Sequence, residues 1–392
     1  MQGLIDMDRS LFTLENTGSL LEIETQDEPD IAFVPEDLPP QWRFPESMWP
    51  LLSDAGNALA ELNGVGRTLS DPKLLLAPLQ QREAMRSSSL EGTYASPEEL
   101  LIFEMRPRKS RSTSDQVNDW REVANYAHAL REGHNYMQKR PASISMVKQL
   151  HKWLMEDVRG RDKSPGEFRS CQVHIGSNRR YIPPPPIALG PCLEAFEENL
   201  RKRDSQYHPL VNCYMAHYQF EAIHPFRDGN GRVGRLLLSL MIYSMCKLNK
   251  PWLYMSAYFE RYKDEYIDRL FDVSAKGAWS EWIEFCLIGT VRQARDAIRR
   301  CDELRVLKEE FQIAVVNGPA RIYKIIDNLF SNPLITIPEL VRKYKVSYPT
   351  AKADVERLRD AKILKHLEGF KPRAFFSPQI FKIAYDDTPE ND

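Results

Sequence analysis

The sequence has little net charge and no long apolar run. Its 53 basic and 55 acidic side chains give a formal net charge of −2, which alone indicates neither a nucleic-acid-binding nor a membrane-surface protein. The longest apolar run, residues 236–245, is far shorter than the roughly 20 residues that a membrane-spanning helix needs, so we predict a buried core helix and no membrane partner. No basic segment followed by an apolar one opens the chain, so no secretory signal is expected.

Closely spaced cysteines are also missing. The six cysteines are scattered, without a Cys-x-x-Cys pair, which argues against a disulfide framework or a structural zinc site. Free thiols are typical of a reducing compartment, so we expect a cytoplasmic protein. The six are Cys171, Cys192, Cys213, Cys246, Cys286 and Cys301.

What the sequence does have is charge that is unevenly distributed. Residues 1–60 carry twelve acidic and two basic side chains, whereas residues 337–373 carry ten basic and five acidic ones. The two ends are therefore expected to meet different partners. A length of 392 residues suggests two or three domains. We interpret residues 1–65 as an irregular acidic arm packed on a larger domain.

The middle of the chain predicts a mainly α fold. Residues 66–297 show the 3.6-residue periodicity of amphipathic helices. Within them, residues 170–186 differ, because apolar residues flank a Gly-Ser-Asn turn at 176–178 and predict a small β-hairpin. Residues 298–314 continue as an amphipathic helix that we expect to connect this domain to the next.

Residues 315–392 predict a winged helix-turn-helix domain. A helix is expected over Ile337–Tyr344, a second over residues 349–360, and a two-stranded wing after them. Basic side chains on the second helix and wing could contact DNA phosphates, although acidic neighbours dilute their charge and the same fold often binds proteins. DNA and protein therefore both stay open as partners. The basic side chains are Lys352, Arg357, Arg359, Lys371 and Arg373, and the acidic ones are Asp354, Glu356 and Asp360.

The most informative stretch is residues 224–235, which read HPFRDGNGRVGR. Pro225 biases His224 away from helical geometry, so the preceding apolar helix is expected to end there. The Gly-Asn-Gly loop permits positive φ and leaves backbone N–H groups at the start of a new helix, which is an anion site. Arg232 and Arg235 lie three residues apart and so share the helix face beside that anion.

Two further side chains add chemistry to the predicted anion site. Asp228 supplies the hard oxygen ligand that Mg²⁺ prefers beside phosphates. His224 can take up a proton near neutral pH. A helix-capping cation and a solvated arginine face would explain single residues, but not the whole set at this spacing. A Walker P-loop does not occur, so the stretch predicts a different site for a metal-bound polyphosphate with a base beside it.

These residues resemble the Fic motif, HPFx(D/E)GNGRxxR, at every fixed position, and the resemblance extends over most of residues 70–300. It implies a helical bundle that transfers a nucleotide monophosphate, usually AMP from ATP with Mg²⁺ or Mn²⁺, to a protein hydroxyl. It further implies that His224 is the catalytic base and that Asp228 binds the metal. Arg232 would then hold the β phosphate and Arg235 the γ phosphate. The implied nucleotide-binding residues of the motif are Phe226, Gly229, Asn230, Gly231, Arg232 and Arg235.

Residues 87–92, SSSLEG, resemble the inhibitory signature [ST]xxxE[GN] of one class of this family. An ordinary helix end with a C-cap glycine would also explain six residues of so loose a pattern. Their position before the Fic core is the one in which that class carries the signature. The resemblance implies that Ser87 and Glu91 are inhibitory and that Glu91 pairs with Arg235 where the γ phosphate must bind.

The predicted hairpin resembles the family's flap, which covers the nucleotide and pairs with an extended target segment by β-augmentation. Two tyrosines after the motif resemble aromatic residues of the adenine pocket, although ordinary helix packing explains them equally well. Ser274 stands near a position where some relatives have Asn, which leaves that adenine contact in doubt. The implied contacts are Val173, His174, Ile175 and Gly176 in the flap, with Tyr262 and Tyr266 after the motif.

The predicted function is that of a protein adenylyltransferase restrained by Glu91. Its target would present a Ser, Thr or Tyr hydroxyl in an extended segment, and the enzyme would also modify itself. The same site could instead remove AMP, with Glu91 orienting a water, or use another nucleotide or phosphodiester donor. From a different class, the chain could be a DNA-binding regulator with a secondary enzyme activity. The target, the direction of the reaction and a homodimeric state are left open.

Overall fold

The computed structural model describes residues 7–24, 29–68, 72–112, 114–158, 164–176, 180–201, 206–368 and 372–386. These residues form a mainly α protein with two small antiparallel sheets, which confirms the predicted fold class. A continuous hydrophobic core extends from Met7 to Ile380. Among the described residues, no helix is both long enough and apolar enough to cross a membrane.

The acidic arm contains a β-hairpin rather than only irregular chain. Strand β1 (Gly18–Glu24) pairs antiparallel with β2 (Pro29–Pro35) in the register Gly18↔Pro35. The backbone N–H of Phe33 in β2 donates to the carbonyl oxygen of Ile182 at 2.8 Å, and the Phe33 ring is fully buried. The arm therefore contacts the larger domain through β2. Its strands were missed because the many acidic residues around them resemble those of an irregular segment.

The centre of the fold is a pair of helices, α7 and α8, in which most residues are buried. Helix α7 is apolar on almost every side because neighbouring helices surround it. Helices α4, α5 and α6 are among those that pack on this pair. Such complete burial fixes the two helix ends that face each other. The bounds of the helices up to α8 are α1 Trp49–Thr68, α2 Pro72–Leu90, α3 Pro97–Met105, α4 Val117–Met137, α5 Ile144–Leu154, α6 Pro186–Arg201, α7 Pro209–Ile223 and α8 Asn230–Met245.

The predicted connector at residues 298–314 is the second half of one 36-residue helix, α11. Its first half packs along α1 and α10, so a single element runs from the main domain toward the C-terminal one. Helices α13 and α14 and strands β4 and β5 lie where the sequence places the two helices and the wing, although Lys371 lies outside the described residues. A three-stranded sheet has the order β3-β5-β4. The bounds are α9 Ser256–Arg261, α10 Lys263–Lys276, α11 Trp279–Ala314, α12 Ala320–Ser331, β3 Leu334–Thr336, α13 Ile337–Tyr344, α14 Tyr348–Asp360, β4 Lys365–Leu367, β5 Ala374–Phe376 and α15 Pro378–Tyr385.

Helix α2 is enclosed by protein on all sides near its middle. Four consecutive polar residues, Gln80, Gln81, Arg82 and Glu83, are only 2–9% exposed. At 3.6 residues per turn, four successive side chains cover the whole circumference of a helix. The helices that contact α2 include α4 and α9 of the main domain and α12 and α15 of the C-terminal region. The helix that leads to Glu91 is therefore held by both regions.

Candidate active site

His224 occupies the turn at the end of α7. Its backbone has φ 49° and ψ 60°, a left-handed conformation that is uncommon outside glycine. The helix ends at this point, just before Pro225, as the sequence predicts. Its Nδ1 lies 3.4 Å from the carbonyl oxygen of Glu221. Because a carbonyl can only accept, Nδ1 carries the proton and Nε2 keeps a free lone pair. Burial lowers the pKa of His224 to about 4, so the imidazole is neutral and able to act as a base.

The loop between α7 and α8 is held by Asn230 and Phe226. The Asn230 side chain accepts from the Phe226 N–H at 2.8 Å and donates to the Phe226 carbonyl at 2.9 Å, so it fixes the loop's shape. The buried Phe226 ring stacks on His151, with ring centroids 3.8 Å apart. His151 accepts from the Gly166 N–H through Nδ1, which leaves Nε2–H to donate to the Asp228 carbonyl at 3.1 Å. Burial lowers the pKa of His151 to about 4, and so it stays neutral in this role.

The predicted anion site at the start of α8 lies directly against Glu91. A Cβ added to Gly231 would lie within 2.9 Å of Arg235 Nη1 and still nearer to Glu91 Oε1. Only glycine therefore leaves room for the carboxylate at this helix N-terminus. Gly229, with φ 77°, has the left-handed backbone that lets the loop enter the helix. The structure thus places a carboxylate where the sequence predicts that a phosphate binds.

Arg235 binds both residues of the predicted inhibitory motif. Its Nη2 lies 2.7 Å from Glu91 Oε1, and it also donates to the Ser87 hydroxyl at 2.8 Å and the Ser87 carbonyl at 2.9 Å. Arg235 is only 3% exposed. Burial alone would raise the pKa of the Glu91 carboxyl, but the charge and hydrogen bond of Arg235 outweigh it, so that pKa is lowered. Glu91 is therefore ionised and paired at neutral pH.

Further contacts hold the end of α2 that carries Glu91. Arg86 Nη1 lies 3.0 Å from Glu260 Oε2, and the Ser89 hydroxyl donates to the other oxygen of Glu260. Lys263 Nζ donates to the carbonyl of Leu90 at 2.7 Å. Two of these partners lie in α9 or at the start of α10. The last turn of α2 is therefore fixed to the helices that follow the motif.

Arg232 lies beside the same helix N-terminus but has a different partner. Its Nη1 donates to Glu122 Oε2 in α4 at 2.9 Å, and both side chains are buried. Thr93 donates to that same oxygen at 3.0 Å. Asp228 lies farther away, with 3.9 Å between its Oδ1 and Arg232 Nη2. Glu122 therefore positions Arg232, a role that the sequence alone did not reveal.

Asp228 is a suitable single ligand for a metal that arrives with a nucleotide. Its side chain is 37% exposed, and its Oδ1 accepts from the Gly229 N–H at 2.7 Å. Across the described ranges, no group of three or more His, Cys, Asp or Glu side chains could hold a metal. Mg²⁺ commonly uses one or two carboxylates together with substrate phosphates and waters, so one carboxylate beside an anion site fits it.

The flap is only partly described, because residues 177–179 lie outside the described ranges. The N–H of Ile175 donates to the carbonyl of Tyr181 at 2.8 Å, which is the single bridge seen in this part of the hairpin. Of the predicted flap contacts, Ile175 and Gly176 line the cavity beside His224, whereas Val173 and His174 do not. The flap therefore borders the site through Ile175 and Gly176.

A cavity of about 240 Å³ joins these groups. This is smaller than the roughly 300–1,000 Å³ of typical ligand pockets, which is consistent with Glu91 filling part of it. Tyr266 lines the cavity and its hydroxyl lies 2.9 Å from His217 Nε2, whereas Tyr262 lies outside it and accepts from Arg292. The residues that line the cavity include Glu91, Tyr181, Tyr218, Glu221, His224, Gly231, Arg235, Leu270, Phe271 and Ser274.

Arg169 is a further site residue that the sequence did not reveal. It is 3% exposed, and its guanidinium donates to the carbonyls of His224 at 2.8 Å and Cys171 at 3.2 Å, as well as to those of Pro184 and Ile223. Burial lowers the pKa of Arg169 to about 10. The side chain thus ties both arms of the flap to the turn that holds His224. His224 and Ile223 are more than 50 positions from Arg169 in sequence, so no local pattern marks the residue.

Comparison with known proteins agrees with this geometry. Residues 49–135 match the Fic/DOC family N-terminal model, and residues 141–242 match the Fic/DOC family model. The protein named "Protein adenylyltransferase Fic" from Drosophila willistoni is 36% identical over 107 residues, which cover 27% of this chain and 20% of that protein. The protein of the same name from Drosophila melanogaster is 36% identical over 107 residues, with 27% and 21% covered. The matched segment spans about a fifth of the length of these curated relatives.

Solved structures share the fold at low sequence identity. A Fic family protein from Desulfovibrio desulfuricans G20 superposes with a TM-score of 0.54 at 19% identity, covering 86% of this chain and 98% of that one. A Fic domain containing signaling protein from Bacteroides thetaiotaomicron has a TM-score of 0.51 at 17% identity, covering 64% and 97%. Residues 49–135 and 141–242 therefore belong to the Fic/DOC family, and the chain has the fold that these solved structures share.

Proposed function

We propose that the chain is a protein adenylyltransferase that moves AMP from ATP to a Ser, Thr or Tyr hydroxyl, and that Glu91 restrains it. One observation carries the proposal. A neutral histidine, His224, shares a cavity with a buried arginine, Arg235, at the N-terminus of α8. A base beside an anion site is what transfer of a phosphorus-containing group to a hydroxyl requires.

His224 acts on the incoming hydroxyl. Its Nε2 takes the proton of the target O–H as that oxygen attacks the α phosphorus, and the bond to pyrophosphate breaks in line. With a pKa of about 4, His224 is a weak base. Negative charge raises that pKa, as the Glu91 and Asp228 carboxylates already do in part. A bound triphosphate adds more negative charge and brings His224 closer to the working pH.

Phosphate binding falls to Arg235, Arg232 and the backbone N–H groups around Gly231. Asp228 would hold Mg²⁺ or Mn²⁺, which supplies charge neutralisation at the phosphates when bound. Arg169 keeps the flap and the His224 turn in fixed relation through its carbonyl contacts. The residues of this chain thereby position the reactants, which is the main protein contribution in such transfers.

Glu91 restrains the reaction by occupying the anion site. Its carboxylate lies against Gly231 and holds Nη2 of Arg235, so it excludes a phosphate by both volume and charge. A charge-assisted hydrogen bond contributes about 1.5–3 kcal/mol, which corresponds to roughly a 10- to 150-fold change in the population of the competent state. Residues 87–92 resemble an inhibitory signature, and the hydrogen bonds of Ser87 and Glu91 with Arg235 support this regulatory role.

The target would add to the exposed flap as an extended strand, which allows several sequences and self-modification. The six free cysteines fit a reducing compartment, and we assign the chain to the cytoplasm within this proposal.

A DNA partner is a second candidate for residues 315–386. It is supported by a groove of about 350 Å³ lined by Lys352, Arg359 and Arg373. Steep weakening of DNA binding by salt would support this partner, and absence of binding at low salt would exclude it.

A label-transfer experiment tests the proposed reaction. The full chain is incubated with Mg²⁺ and ATP that is labelled either at the α or at the γ phosphate, and the label on protein is measured. Label from the α phosphate alone is the expected result. Transfer of γ label would make the chain a kinase and overturn the proposal.

Removal of AMP is a second candidate reaction for the same cavity. The ionised Glu91 carboxylate is 39% exposed beside His224 and could orient a water. Release of AMP from a pre-modified protein by the wild type, and its loss in Glu91→Gly, would favour this direction. Release that is unaffected by Glu91→Gly would exclude Glu91 from this role, and no release by the wild type would exclude this direction.

A further inference from the structure

Two hydroxyl-bearing residues line one end of the cavity, and a third hydroxyl is hydrogen-bonded to one of them. Tyr218 stands six residues before His224 on α7, which is roughly 9 Å along the helix axis. This distance matches the separation between a nucleotide's base and its first phosphate. Leu270 and Phe271 give this end apolar walls, while the Tyr218 and Ser274 side chains add hydroxyls to the lining. A base bound here would stack on apolar surface and meet hydroxyl groups at its edge.

The third hydroxyl comes from the N-terminal arm. The Tyr218 hydroxyl lies 2.9 Å from Thr17 Oγ1 and 2.9 Å from Ser274 Oγ. Thr17 Oγ1 in turn lies 3.0 Å from the carbonyl oxygen of Val273. Tyr218 and Ser274 are each 1% exposed. These groups form a buried chain of hydrogen bonds that ends on a backbone carbonyl.

The Val273 carbonyl fixes which group donates in each hydrogen bond of this series. Val273 O can only accept, so the single proton of Thr17 points to it. Thr17 must then accept from Tyr218, because its own proton is already donated. The Tyr218 proton is thereby used as well, and Ser274 must be the donor to Tyr218. Ser274 is left with only oxygen lone pairs for anything that enters the cavity.

A neighbouring tyrosine does not change this result. The Tyr181 hydroxyl also lies beside Ser274 and influences its hydrogen bonding. However, Tyr181 donates its own proton to the carbonyl of Ala222 at 3.1 Å. Toward either tyrosine, Ser274 is therefore the donor. Its oxygen remains an acceptor on the cavity side in both arrangements.

Backbone contacts hold Thr17 in place. Its N–H donates to the Ser274 carbonyl at 3.2 Å, and its carbonyl accepts from the Glu36 N–H at 2.8 Å. The Glu36 carbonyl accepts from the Gln219 side chain at 3.0 Å, next to Tyr218 on α7. The arm is thus bonded both to the end of α10 and to α7. These contacts fix the Thr17 backbone beside Tyr218 and Ser274.

We propose that Thr17 sets the base preference of the nucleotide site, by fixing Ser274 as a hydrogen-bond acceptor. An acceptor favours a base with an exocyclic amino group, such as adenine, over one with a carbonyl there, such as hypoxanthine or guanine. The inference rests on the proposed function in so far as the cavity binds a nucleoside triphosphate. A carbonyl at this position would require Ser274 to turn its proton into the cavity and leave the Tyr218 oxygen without its donor.

The test compares ATP with ITP, which carries a carbonyl in place of the adenine amino group. A Glu91→Gly parent is used so that transfer is measurable, and kcat/KM is obtained for both nucleotides. The parent should prefer ATP by roughly tenfold or more, the effect of an unpaired buried polar group. Thr17→Val removes the end of the hydrogen-bond chain, frees the Tyr218 proton and should reduce the preference to within about threefold. Ser274→Ala should reduce it similarly.

Two matched variants separate this role from general packing. Thr17→Ser keeps the hydroxyl and should retain the preference. Thr13→Val alters a neighbouring arm residue that also contacts the end of α10, through Ala275, but lies outside the chain of hydroxyls, and it should retain the preference too. Full ATP preference in Thr17→Val, or equal use of ITP by the parent, would overturn the inference. If the parent transfers no nucleotide, the proposed function fails, and equilibrium binding of ATP and ITP still tests Thr17.

Discussion

At the scale of single residues, the site depends on which groups are charged. Glu91 and Arg235 form an ionised pair, whereas His224 is held neutral by burial. Glu221 also lines the cavity, and burial raises the pKa of its carboxyl to about 8, so this carboxyl keeps its proton. One cavity thus keeps one carboxyl ionised and another protonated at neutral pH. Substitutions that change charge without changing size can separate these roles.

Glu91→Gly should raise the initial rate of AMP incorporation, including self-modification. Glycine removes the carboxylate from the N-terminus of α8 and frees Arg235, so the increase should be roughly 10- to 150-fold at saturating ATP. Glu91→Gln keeps the volume against Gly231 but removes the charge, and it should give a smaller increase. An unchanged or lower rate in Glu91→Gly would contradict the autoinhibition.

His224→Ala in the Glu91→Gly chain should lower transfer by a factor of about 10²–10⁴, the usual effect of removing a general base. ATP binding should change little, because His224 faces the hydroxyl and not the phosphates. Calorimetric binding and label transfer are measured on the same preparation. His366→Ala, an exposed histidine of β4, is the control and should leave both unchanged. Full transfer by His224→Ala would remove it from the role of base.

Glu221→Gln should stabilise the protein increasingly as pH rises from about 4.5 to 8. In the folded wild type this carboxyl keeps its proton up to a pKa of about 8, while in the unfolded chain it ionises near its ordinary value. The folded state therefore binds more protons in this window, and wild-type stability falls with rising pH. A glutamine side chain does not titrate, so the stability of the variant lacks this dependence on pH. Denaturant unfolding at pH 5 and pH 8 measures the difference, and a constant difference would contradict the buried neutral carboxyl.

At the scale of elements, the residues of the contiguous motif were predictable from the sequence, whereas their partners in distant segments were not. The motif is contiguous, so the end of one helix, the loop and the start of the next follow from Pro225 and the glycines. Partners from distant segments leave no such pattern. Arg169 and His224 are 55 positions apart, and Glu122 and Arg232 are 110 apart. Only the packing of α4 and the flap against α7 and α8 brings them together.

Arg86→Ala should raise basal transfer by up to about fivefold. It removes the ion pair with Glu260 that holds the last turn of α2, and a partly exposed pair of this kind contributes about 0–1 kcal/mol. The initial rate is compared with the wild type and with Glu91→Gly. Arg305→Ala removes an exposed ion pair within α11 and should have no effect. An increase in Arg86→Ala that persists in a Glu91→Gly background would show that the restraint does not act through Glu91.

At the scale of the whole molecule, the C-terminal region contacts the helix that leads to Glu91. The sequence places no motif residue after position 314, which predicts that this region is dispensable for the chemistry. In the structure, the Tyr385 hydroxyl donates to Gln81 of α2, and Arg300 donates to the carbonyls of Ile383 and Asp386. We therefore expect events at the C-terminal region to reach Glu91 through α2.

Tyr385→Phe should loosen α2 without touching the cavity. It removes one buried hydrogen bond to Gln81, worth about 1 kcal/mol. Hydrogen exchange of α2 should become several times faster, and basal transfer should rise in parallel. Tyr323→Phe, which removes an exposed hydroxyl contact within the same region, is the control. Faster exchange with unchanged transfer would separate α2 mobility from the restraint.

The N-terminal hairpin lies outside the residues that match the family models. The family match begins at residue 49, whereas Thr17, which is hydrogen-bonded to Tyr218 in the cavity lining, lies 32 positions earlier. A fragment trimmed to the shared domains would keep every motif residue and lose the hydroxyl that is bonded to Tyr218. With the role that we propose for Thr17, two chains with the same motif would differ in the base of the nucleotide that they prefer. The proposed base preference of this protein would then depend on a residue outside the matched domains.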